Sequence, residues 1–240
     1  MINQFLLGDC FDIISKIEDK SIDLILVDPP YLISKKSYFT GYSDTASDKM
    51  ITKYSNISID FGEWDKQDLD FDTLFKEYQR VLKDGGTLII FFDIWKSNLL
   101  KELADKYKFK QHRVCHWVKN NPTPINSKVN YLSNAVEYFF TFVKGKNPTF
   151  NSKYDKGIYN FPLCHGKERT DHPTQKPLEL FKSLIEKHSN PNDIILDTFG
   201  GSATSAVASI ETGRRFIVVE KDETYFEIGN KRIYEANINN

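Results

Sequence analysis

Two short stretches of the sequence place residues that could bind or activate a ligand at the ends of apolar runs. In the first, the run at 22–27 leads into Asp28-Pro29-Pro30-Tyr31, so a carboxylate and an aromatic ring stand where strand pairing must stop. Proline has no backbone N–H and holds φ near about −65°, which keeps such a turn open with its carbonyl groups pointing outward. The stretch therefore presents several hydrogen-bond acceptors together, unless it is only a proline-rich strand exit.

The second stretch is a glycine turn between a predicted strand and a predicted helix. Residues 193–197 lead into a turn at 198–204 with two adjacent glycines, and the next apolar run, 215–219, ends in Glu220. Open α/β sheets bind ligands just outside the carboxyl ends of their strands, and an acid that closes the next strand is placed to bind a ribose. These residues favour a nucleoside-type ligand, although a glycine pair after a strand is often only a turn.

The residues of the glycine turn also limit which nucleoside-type ligand is expected. No P-loop lysine follows the glycines, and their spacing does not match the dinucleotide fingerprint G-x-G-x-x-G. Both a nucleoside triphosphate and a dinucleotide are therefore disfavoured. S-adenosylmethionine carries a ribose, needs no phosphate cradle and fits this description.

The elements that must position these residues are strands that alternate with helices. Apolar runs of strand length predict strands at 3–7, 23–28, 86–92, 112–118, 136–143, 193–198 and 215–220. Apolar residues spaced i, i+3, i+4, i+7 predict helices at 71–82 and 178–188. This alternation indicates a parallel sheet covered by helices on both faces. The stretches 32–60 and 144–171 fit neither period, and loops of such length in a compact chain are usually functional or mobile.

The bulk composition limits the class of protein. With 240 residues, 40% of them hydrophobic, the chain can bury one sizeable core, and one domain is expected. No apolar run reaches the roughly 18 residues that span a bilayer, and the first residues lack a secretory pattern, so we expect a soluble, intracellular protein. Cys10, Cys115 and Cys164 lie far apart without metal-ligand spacing, so no disulfide framework and no metal site are indicated.

Four motifs, in their order along the chain, resemble those of a known enzyme family. They are Leu7-Gly8-Asp9-Cys10, Asp28-Pro29-Pro30-Tyr31, His172-Pro173-Thr174-Gln175-Lys176-Pro177 and Asp197-Thr198-Phe199-Gly200-Gly201-Ser202-Ala203-Thr204. The chain resembles the amino-methylating DNA methyltransferases of the permuted β group, in which the catalytic DPPY comes early and the cofactor loop D-x-F-x-G-S-G-T comes late. The segments at 61–65 and 117–122 are also similar to segments of its small bacterial members.

The resemblance implies a fold and a domain organisation. The fold is α/β, with a doubly wound mixed sheet in the circularly permuted, Rossmann-like arrangement of S-adenosylmethionine-dependent methyltransferases. One catalytic domain is expected over 1–240, with a mobile substrate loop at about 32–60 and a small target-recognition insert at about 144–171.

The implied activity is site-specific transfer of a methyl group from S-adenosylmethionine to the exocyclic N6 amine of a flipped adenine in duplex DNA. Adenine N6 is favoured over cytosine N4 because the tetrapeptide begins with Asp28, where the cytosine enzymes of the family usually have serine. Other interpretations stay open. They are a cytosine-N4 enzyme, a methyltransferase on RNA or protein glutamine, in which the glycine loop normally comes first, and a DNA-binding scaffold that has lost catalysis.

The motifs also imply roles for individual residues. The expected catalytic residues are Asp28, Pro29, Pro30 and Tyr31. The Asp28 carboxylate and the Pro29 carbonyl would each accept an N–H of the target amine, and Tyr31 would stack on the extruded base.

The expected cofactor-binding residues come from all four motifs and from the strand that ends at 220. They are Asp9, Cys10, Asp28, Thr174, Gln175, Lys176, Asp197, Phe199, Gly200, Gly201, Ser202, Ala203, Thr204 and Glu220. Asp9 and the Cys10 backbone would contact the adenine, Glu220 the ribose hydroxyls, and 174–176 the methionine end.

Ala203 departs from the family pattern, which usually has glycine there. An alanine with positive φ costs about 1 kcal/mol or more. We therefore predict a helical φ at Ala203 and expect the departure to affect cofactor affinity rather than the fold.

The charge distribution suggests where DNA binds. The net charge is −1, but 14 Lys and Arg stand against 6 Asp and Glu between Lys101 and Lys176, so this part carries +8 and the remainder −9. We predict a DNA-facing surface there, with Lys144, Lys146, Lys153 and Lys156 on phosphates; the alternative is lysines scattered over several surfaces. Expected partners are duplex DNA, no membrane and no metal, in the cytoplasm; a cognate restriction endonuclease and a second copy of the chain are left open.

Overall fold

The structure is a computed structural model that describes residues 1–30, 69–122 and 132–239, without the side chain of Asn239. The chain divides into two compact units, Met1–Pro29 with Phe71–Asn240, and Pro30–Asp70. The larger unit holds the motifs at 7–10, 172–177 and 197–204. Tyr31, the predicted substrate loop at 32–60 and the motif at 61–65 lie outside the described residues, and the expectation of a single domain over 1–240 stays a prediction.

The larger unit is built on one mixed sheet, which has eight strands among the described residues. In chain order they are β1 (Gln4–Leu7), β2 (Ile22–Val27), β3 (Leu82–Phe91), β4 (Lys110–Lys119), β5 (Val136–Val143), β6 (Ile158–Phe161), β7 (Ile194–Asp197) and β8 (Arg215–Glu220). Their order across the sheet is β1-β8-β7-β2-β3-β5-β4-β6. Of these eight strands, β5 runs antiparallel to its neighbours β3 and β4, and the others pair in parallel.

Helices cover both faces of the sheet, as the doubly wound prediction requires. They are α1 (Cys10–Ile14), α2 (Phe71–Val81), α3 (Ser97–Lys106), α4 (Leu178–His188), α5 (Thr204–Glu211) and α6 (Glu223–Asn239). On one face, α2 packs through Phe75 against Phe142 of β5. On the other face, α4 stacks Phe181 on Phe91 of β3. The predicted α/β fold with a mixed sheet is therefore confirmed.

The order of the strands brings the predicted site residues to one edge. The carboxyl ends of β1, β8, β7, β2 and β3 lie side by side, and we call this edge of the sheet the carboxyl edge and the opposite one the amino edge. The chain continues from β2 to β3 in one direction and from β7 to β8 in the other. The neighbours β2 and β7 thus flank a topological switch point, where open α/β sheets bind their ligands.

All seven predicted strands are present, but the stretch 144–171 is not wholly irregular. It contains β6, which pairs in parallel with β4 from His116↔Ile158 to Lys119↔Phe161. Only Tyr159 of its four residues is buried, and so short a strand gives almost no hydrophobic period by which its sequence could be recognised.

Candidate active site

Asp28 follows the last residue of β2 at the carboxyl edge, and its carboxylate is held by a lysine. Lys176 Nζ donates a short hydrogen bond to Asp28 Oδ2, and the Lys176 side chain is only 6% exposed. We predicted Lys176 at the methionine end of the cofactor. The structure places the lysine against the carboxylate that is expected to do the chemistry, and its contact with the cofactor stays a prediction.

Two charged residues outside the four motifs, Glu137 and Lys119, extend this pair. Glu137 Oε2 lies 3.3 Å from Lys176 Nζ, and Glu137 Oε1 lies 2.8 Å from Lys119 Nζ. Because β5 is antiparallel, its first residues share the carboxyl edge with Lys119, the last residue of β4. The sequence signal that could have identified Glu137 is an acid at the start of an otherwise apolar strand.

The ion pairs outweigh the cost of burial in this cluster. Burial works to raise the pKa of Glu137, but the ammonium groups of Lys176 and Lys119 hold that pKa below its ordinary value. Burial likewise works to lower the pKa of Lys176, and the Asp28 and Glu137 carboxylates hold it above its ordinary value. Lys176 and Glu137 are therefore both charged at neutral pH.

Asp197 shapes the glycine turn from within. Its Oδ1 accepts from Phe199 N at 2.9 Å and its Oδ2 accepts from Ser205 Oγ at 2.6 Å, and the residue is 3% exposed. Burial raises the pKa of Asp197 to about 7. Both oxygens already have partners, so Asp197 positions the turn, and direct contact with a cofactor stays a prediction.

Glu220 closes β8 beside the same turn. Its Oε2 accepts from Gly201 N at 2.6 Å, and its Oε1 accepts from Lys221 N and Asp222 N, both at 2.8 Å. A carboxylate can accept about four hydrogen bonds, so one position remains among the described contacts. Burial is the main cause that raises the pKa of Glu220.

Asp9 stands next along the edge. Its Oδ1 caps α1 by accepting from Phe11 N at 3.0 Å, and its Oδ2 pairs with Lys221 Nζ at 3.1 Å. The neighbouring Cys10 is buried, which raises the pKa of its thiol to about 12 and leaves only its backbone for a ligand. The structure thus brings Asp9, Glu220 and the glycine turn together, and their contacts with a cofactor stay a prediction.

The prediction for Ala203 was wrong. Its φ is +60° and its ψ is 34°, in the left-handed region, where it precedes the first residue of α5. Gly201 also has positive φ, at +50°, and a Cβ there would lie 2.8 Å from His172 Nε2. Gly200 is equally confined, since a Cβ would meet Val218 Cγ1 at 2.5 Å. Gly200 and Gly201 therefore each lie where a side chain would meet a neighbour.

Polar side chains from two helices hold the turn in place. Arg232 of α6 donates through Nη1 to Ser202 O at 2.6 Å and to Thr204 Oγ1 at 3.0 Å. Tyr78 of α2 shares a 2.5 Å hydrogen bond with Thr198 Oγ1. Neither Arg232 nor Tyr78 was predicted to support the site, because a single arginine or tyrosine on a helix forms no recognisable sequence motif.

Gln175 braces the segment that precedes α4 rather than pointing to a ligand. Its Oε1 accepts from Thr170 N and Thr170 Oγ1, both at 2.8 Å, and its Nε2 donates to Glu168 O at 2.9 Å. Thr174 beside it is half-buried. A cofactor contact of either residue stays a prediction.

Lys144 corrects the predicted set of DNA-binding lysines. It is 7% exposed, and its Nζ donates to Gln79 O at 2.5 Å and to Leu82 O at 2.7 Å. Burial lowers its pKa. An ammonium group enclosed by carbonyls at the end of α2 is not available to a phosphate.

The other three predicted lysines are exposed but stand away from Asp28. Lys146 follows the end of β5, roughly 24 Å along that strand from the carboxyl edge. Lys153 lies near the end of α4, where Asn151 N donates to Lys187 O at 2.7 Å, and Lys156 precedes β6 halfway along β4. Their DNA contacts stay a prediction that this placement disfavours.

The part of the chain that the structure describes contains no group of three or more residues placed to hold a metal ion. Within the same residues, no helix combines the length and the apolar character needed to cross a membrane.

Comparison with known proteins assigns the family. Residues 22–231 match the family model N6_N4_Mtase, described as DNA methylase, and the chain belongs to this family. It is 30% identical to the type II methyltransferase M2.MboI of Moraxella bovis over 95% of this chain and 86% of that protein. It is 29% identical to the type II methyltransferase M.HinfI of Haemophilus influenzae, over 99% and 70% of the two chains.

Solved structures agree in fold. The M1.HpyAVI–SAM complex superposes with a TM-score of 0.71 at 26% identity, covering 96% of this chain and 98% of that one. The PvuII DNA methyltransferase, described as cytosine-N4-specific, superposes with a TM-score of 0.73 at 17% identity, covering 95% and 85%. At that identity the second likeness supports the fold alone.

Proposed function

We propose that this DNA methylase transfers a methyl group from S-adenosylmethionine to the N6 amine of an adenine that has been flipped out of duplex DNA. The observation that carries the proposal is the row of groups along the carboxyl edge. Asp9, Glu220, the glycine turn and Asp28 follow one another across the neighbouring strands β1, β8, β7 and β2. The row leads from a nucleoside-binding end to a hydrogen-bond acceptor.

Asp28 and the Pro29 carbonyl act on the target. The lone pair of an exocyclic amine is delocalised into the ring, so the amine is a poor nucleophile until acceptors draw its protons. The two acceptors favour the tetrahedral, partly positive nitrogen of the transition state. The hydrogen bond from Lys176 to Asp28 Oδ2 fixes the orientation of the carboxylate before the target arrives.

The residues along the edge fit S-adenosylmethionine. Glu220 has one accepting position left for a ribose hydroxyl, and the glycine turn follows β7 at the carboxyl edge, where open α/β sheets bind their ligands. When bound, S-adenosylmethionine supplies a methyl group on a sulfonium. The N–C bond forms as the S–C bond breaks, the electron pair stays on sulfur to give a thioether, and the nitrogen loses one proton to water.

The choice of adenine rests on Asp28, since the resemblance associates cytosine-N4 enzymes with serine at that position. A direct test is to methylate duplex DNA of mixed sequence with labelled cofactor, digest the DNA to nucleosides and identify the product by mass spectrometry. We expect N6-methyldeoxyadenosine. N4-methyldeoxycytidine would establish the alternative, and no methylated base with intact cofactor binding would indicate an inactive DNA-binding protein.

The role of Asp28 is tested by Asp28→Ala. We expect methyl transfer to fall below detection while S-adenosylmethionine affinity changes much less, because the carboxylate acts on the target amine. Single-turnover rates and calorimetric titration measure the two quantities separately. A near-normal rate, or a loss of cofactor binding as large as the loss of rate, would show that Asp28 does not act on the target amine.

The wider setting belongs to the same proposal. The type II designation of the relatives suggests that methylation protects DNA from a cognate restriction endonuclease, in the cytoplasm where the DNA lies. Plasmid DNA from cells that express this chain, sequenced by a methylation-sensitive method, would give the recognition site. Sedimentation of the purified protein at several concentrations tests the further expectation that two copies associate.

A further inference from the structure

Four charged side chains form a chain of contacts at the carboxyl edge. Asp28 pairs with Lys176, Lys176 with Glu137 at 3.3 Å, and Glu137 with Lys119 at 2.8 Å. Lys119 Nζ also donates to Asn134 O at 3.2 Å. Among the described residues these are two carboxylates and two ammonium groups, so their formal charges cancel.

Such a cluster is a poor device for stability alone. Removing charged groups from water is costly, and apolar residues of similar volume often stabilise a fold equally well. Both lysines are almost fully buried, with side-chain exposures of 6% for Lys176 and 8% for Lys119. The cluster therefore calls for an explanation in terms of the reaction that takes place beside it.

The charges that arise during methyl transfer explain the presence of the cluster. With Asp28 as its sole partner, Lys176 would draw the negative charge of the carboxylate toward itself and weaken it as an acceptor. Lys176 would also repel the positive charge carried by the sulfonium and then by the target nitrogen. Glu137 opposes both effects, because its Oε2 lies 3.3 Å from the same ammonium group and carries a compensating negative charge.

We propose that Glu137, in balance with Lys119, is a positioning residue that sets the charge around Asp28 so that the edge accepts a sulfonium and a developing positive nitrogen. This inference rests on the proposed function. Glu137 acts through Lys176, and it carries no motif that marks it in the sequence.

Comparing the affinities for the two forms of the cofactor reports on the charge around the sulfur, because the two forms differ in charge at that atom. S-adenosylmethionine carries a positive sulfonium, whereas its product S-adenosylhomocysteine carries a neutral thioether and otherwise the same groups. A change of charge near the sulfur alters the affinity for the first more than for the second. Two unit charges roughly 10 Å apart at an effective dielectric constant of about 20 shift an equilibrium about tenfold, and solvent screening reduces this.

The experiment measures the Kd for each compound by calorimetry, without DNA, and takes the ratio of the S-adenosylmethionine Kd to the S-adenosylhomocysteine Kd. Glu137→Gln leaves the edge one unit more positive, and we expect the ratio to rise about three- to tenfold. Lys119→Gln leaves it one unit more negative, and the ratio should fall. The double variant restores the balance and should return the ratio to within about twofold of the parent.

The opposite signs separate charge from damage to the fold, since general disruption would move both single variants the same way. Glu102→Gln removes a carboxylate from the exposed surface of α3 and is the matched control. If Glu137→Gln does not fold, Lys119→Gln and the double variant still decide the question.

Equal ratios in the parent, Glu137→Gln and Lys119→Gln, or shifts of the same sign in both, would overturn the inference. These results would leave the proposed function standing as long as the parent methylates DNA. A parent that binds neither compound and methylates no DNA would instead overturn the proposed function.

Discussion

Ala203 illustrates, for one residue, how packing can overrule a backbone preference. Its φ of +60° costs an alanine about 1 kcal/mol. Its methyl group is fully buried in a cluster with Ala206, Phe216 and Val218, and burial of such a group contributes about 0.8 kcal/mol. Gly229 makes room for it, since a Cβ there would lie 2.9 Å from the Ala203 Cβ. Only the cost is visible in the sequence, which is why the predicted helical φ was wrong.

A second residue, His188, ties stability to pH. It is 9% exposed, its Nδ1 has no hydrogen-bond partner among the described residues, and burial lowers its pKa to about 4. Because the folded state binds this proton more weakly than the unfolded chain, stability is full above about 6.5 and is lost as the pH falls toward about 4.

We expect His188→Gln to remove a loss of about 3 kcal/mol that the parent suffers between pH 7 and pH 4. Urea unfolding at a series of pH values gives the free energy of unfolding for both proteins. His165→Gln, at an exposed position, is the control and should follow the parent. Parallel curves for the parent and His188→Gln would contradict the assignment.

At the scale of elements, the strands were predictable and the contacts between them were not. Continuous apolar runs such as 24–27 are what a strand buried on both faces requires, so β2, β7 and β8 follow from composition. The pair Asp28 and Lys176 joins residues 148 positions apart and depends on the order of the strands. Glu137 reaches the site only because β5 is antiparallel, and no local pattern shows that.

Lys144 stabilises the carboxyl end of helix α2. The last carbonyls of α2 have no partner within the helix, and Lys144 Nζ takes up those of Gln79 and, at 3.5 Å, of Arg80. A cation at the carboxyl end of a helix also opposes the helix dipole.

We expect Lys144→Met to lower the free energy of unfolding by about 1–3 kcal/mol, because it leaves buried carbonyls without a donor. DNA affinity of the folded variant should equal that of the parent. Lys146→Met, which changes an exposed neighbour, should alter stability by less than about 0.5 kcal/mol. Weaker DNA binding by Lys144→Met at unchanged stability would restore the predicted role.

Among the described residues, the basic side chains between Lys101 and Lys176 do not form one surface. Lys101 and Lys106 pair with Asp105 and Asp72, while Lys119 and Lys176 are taken up by the buried cluster. The insert predicted at 144–171 is itself divided. Its first half lies toward the amino edge, whereas the part after Phe161 runs along the carboxyl edge, where Leu163 N donates to Asn121 Oδ1 at 2.7 Å.

Two double variants compare these halves. Lys167 and Arg169 are exposed in the part after Phe161, and Lys146 and Lys153 are exposed in the part before it. Each phosphate contact contributes about 0.9 to the slope of log affinity against log salt. We therefore expect Lys167→Gln with Arg169→Gln to reduce the slope by about two, and Lys146→Gln with Lys153→Gln to leave it unchanged.

Dissociation constants for a cognate duplex at several salt concentrations give both slopes, and the S-adenosylmethionine Kd shows that the cofactor site is intact. The reverse result, with the slope falling only in the Lys146 and Lys153 variant, would support DNA binding at the surface predicted from the sequence.

The central position of β2 in the sheet also determines how slowly its backbone amides exchange with water. The strand is fourth of the eight described, hydrogen-bonded to β7 on one side and β3 on the other, and residues 24–27 have no exposed surface. Amide protons in such a strand reach water only when the molecule opens globally, so their exchange with deuterium should be among the slowest in the chain. Asp28 is the next residue along the backbone. The carboxylate is thus anchored to a segment that stays closed for as long as the molecule is folded, while many turnovers pass beside it.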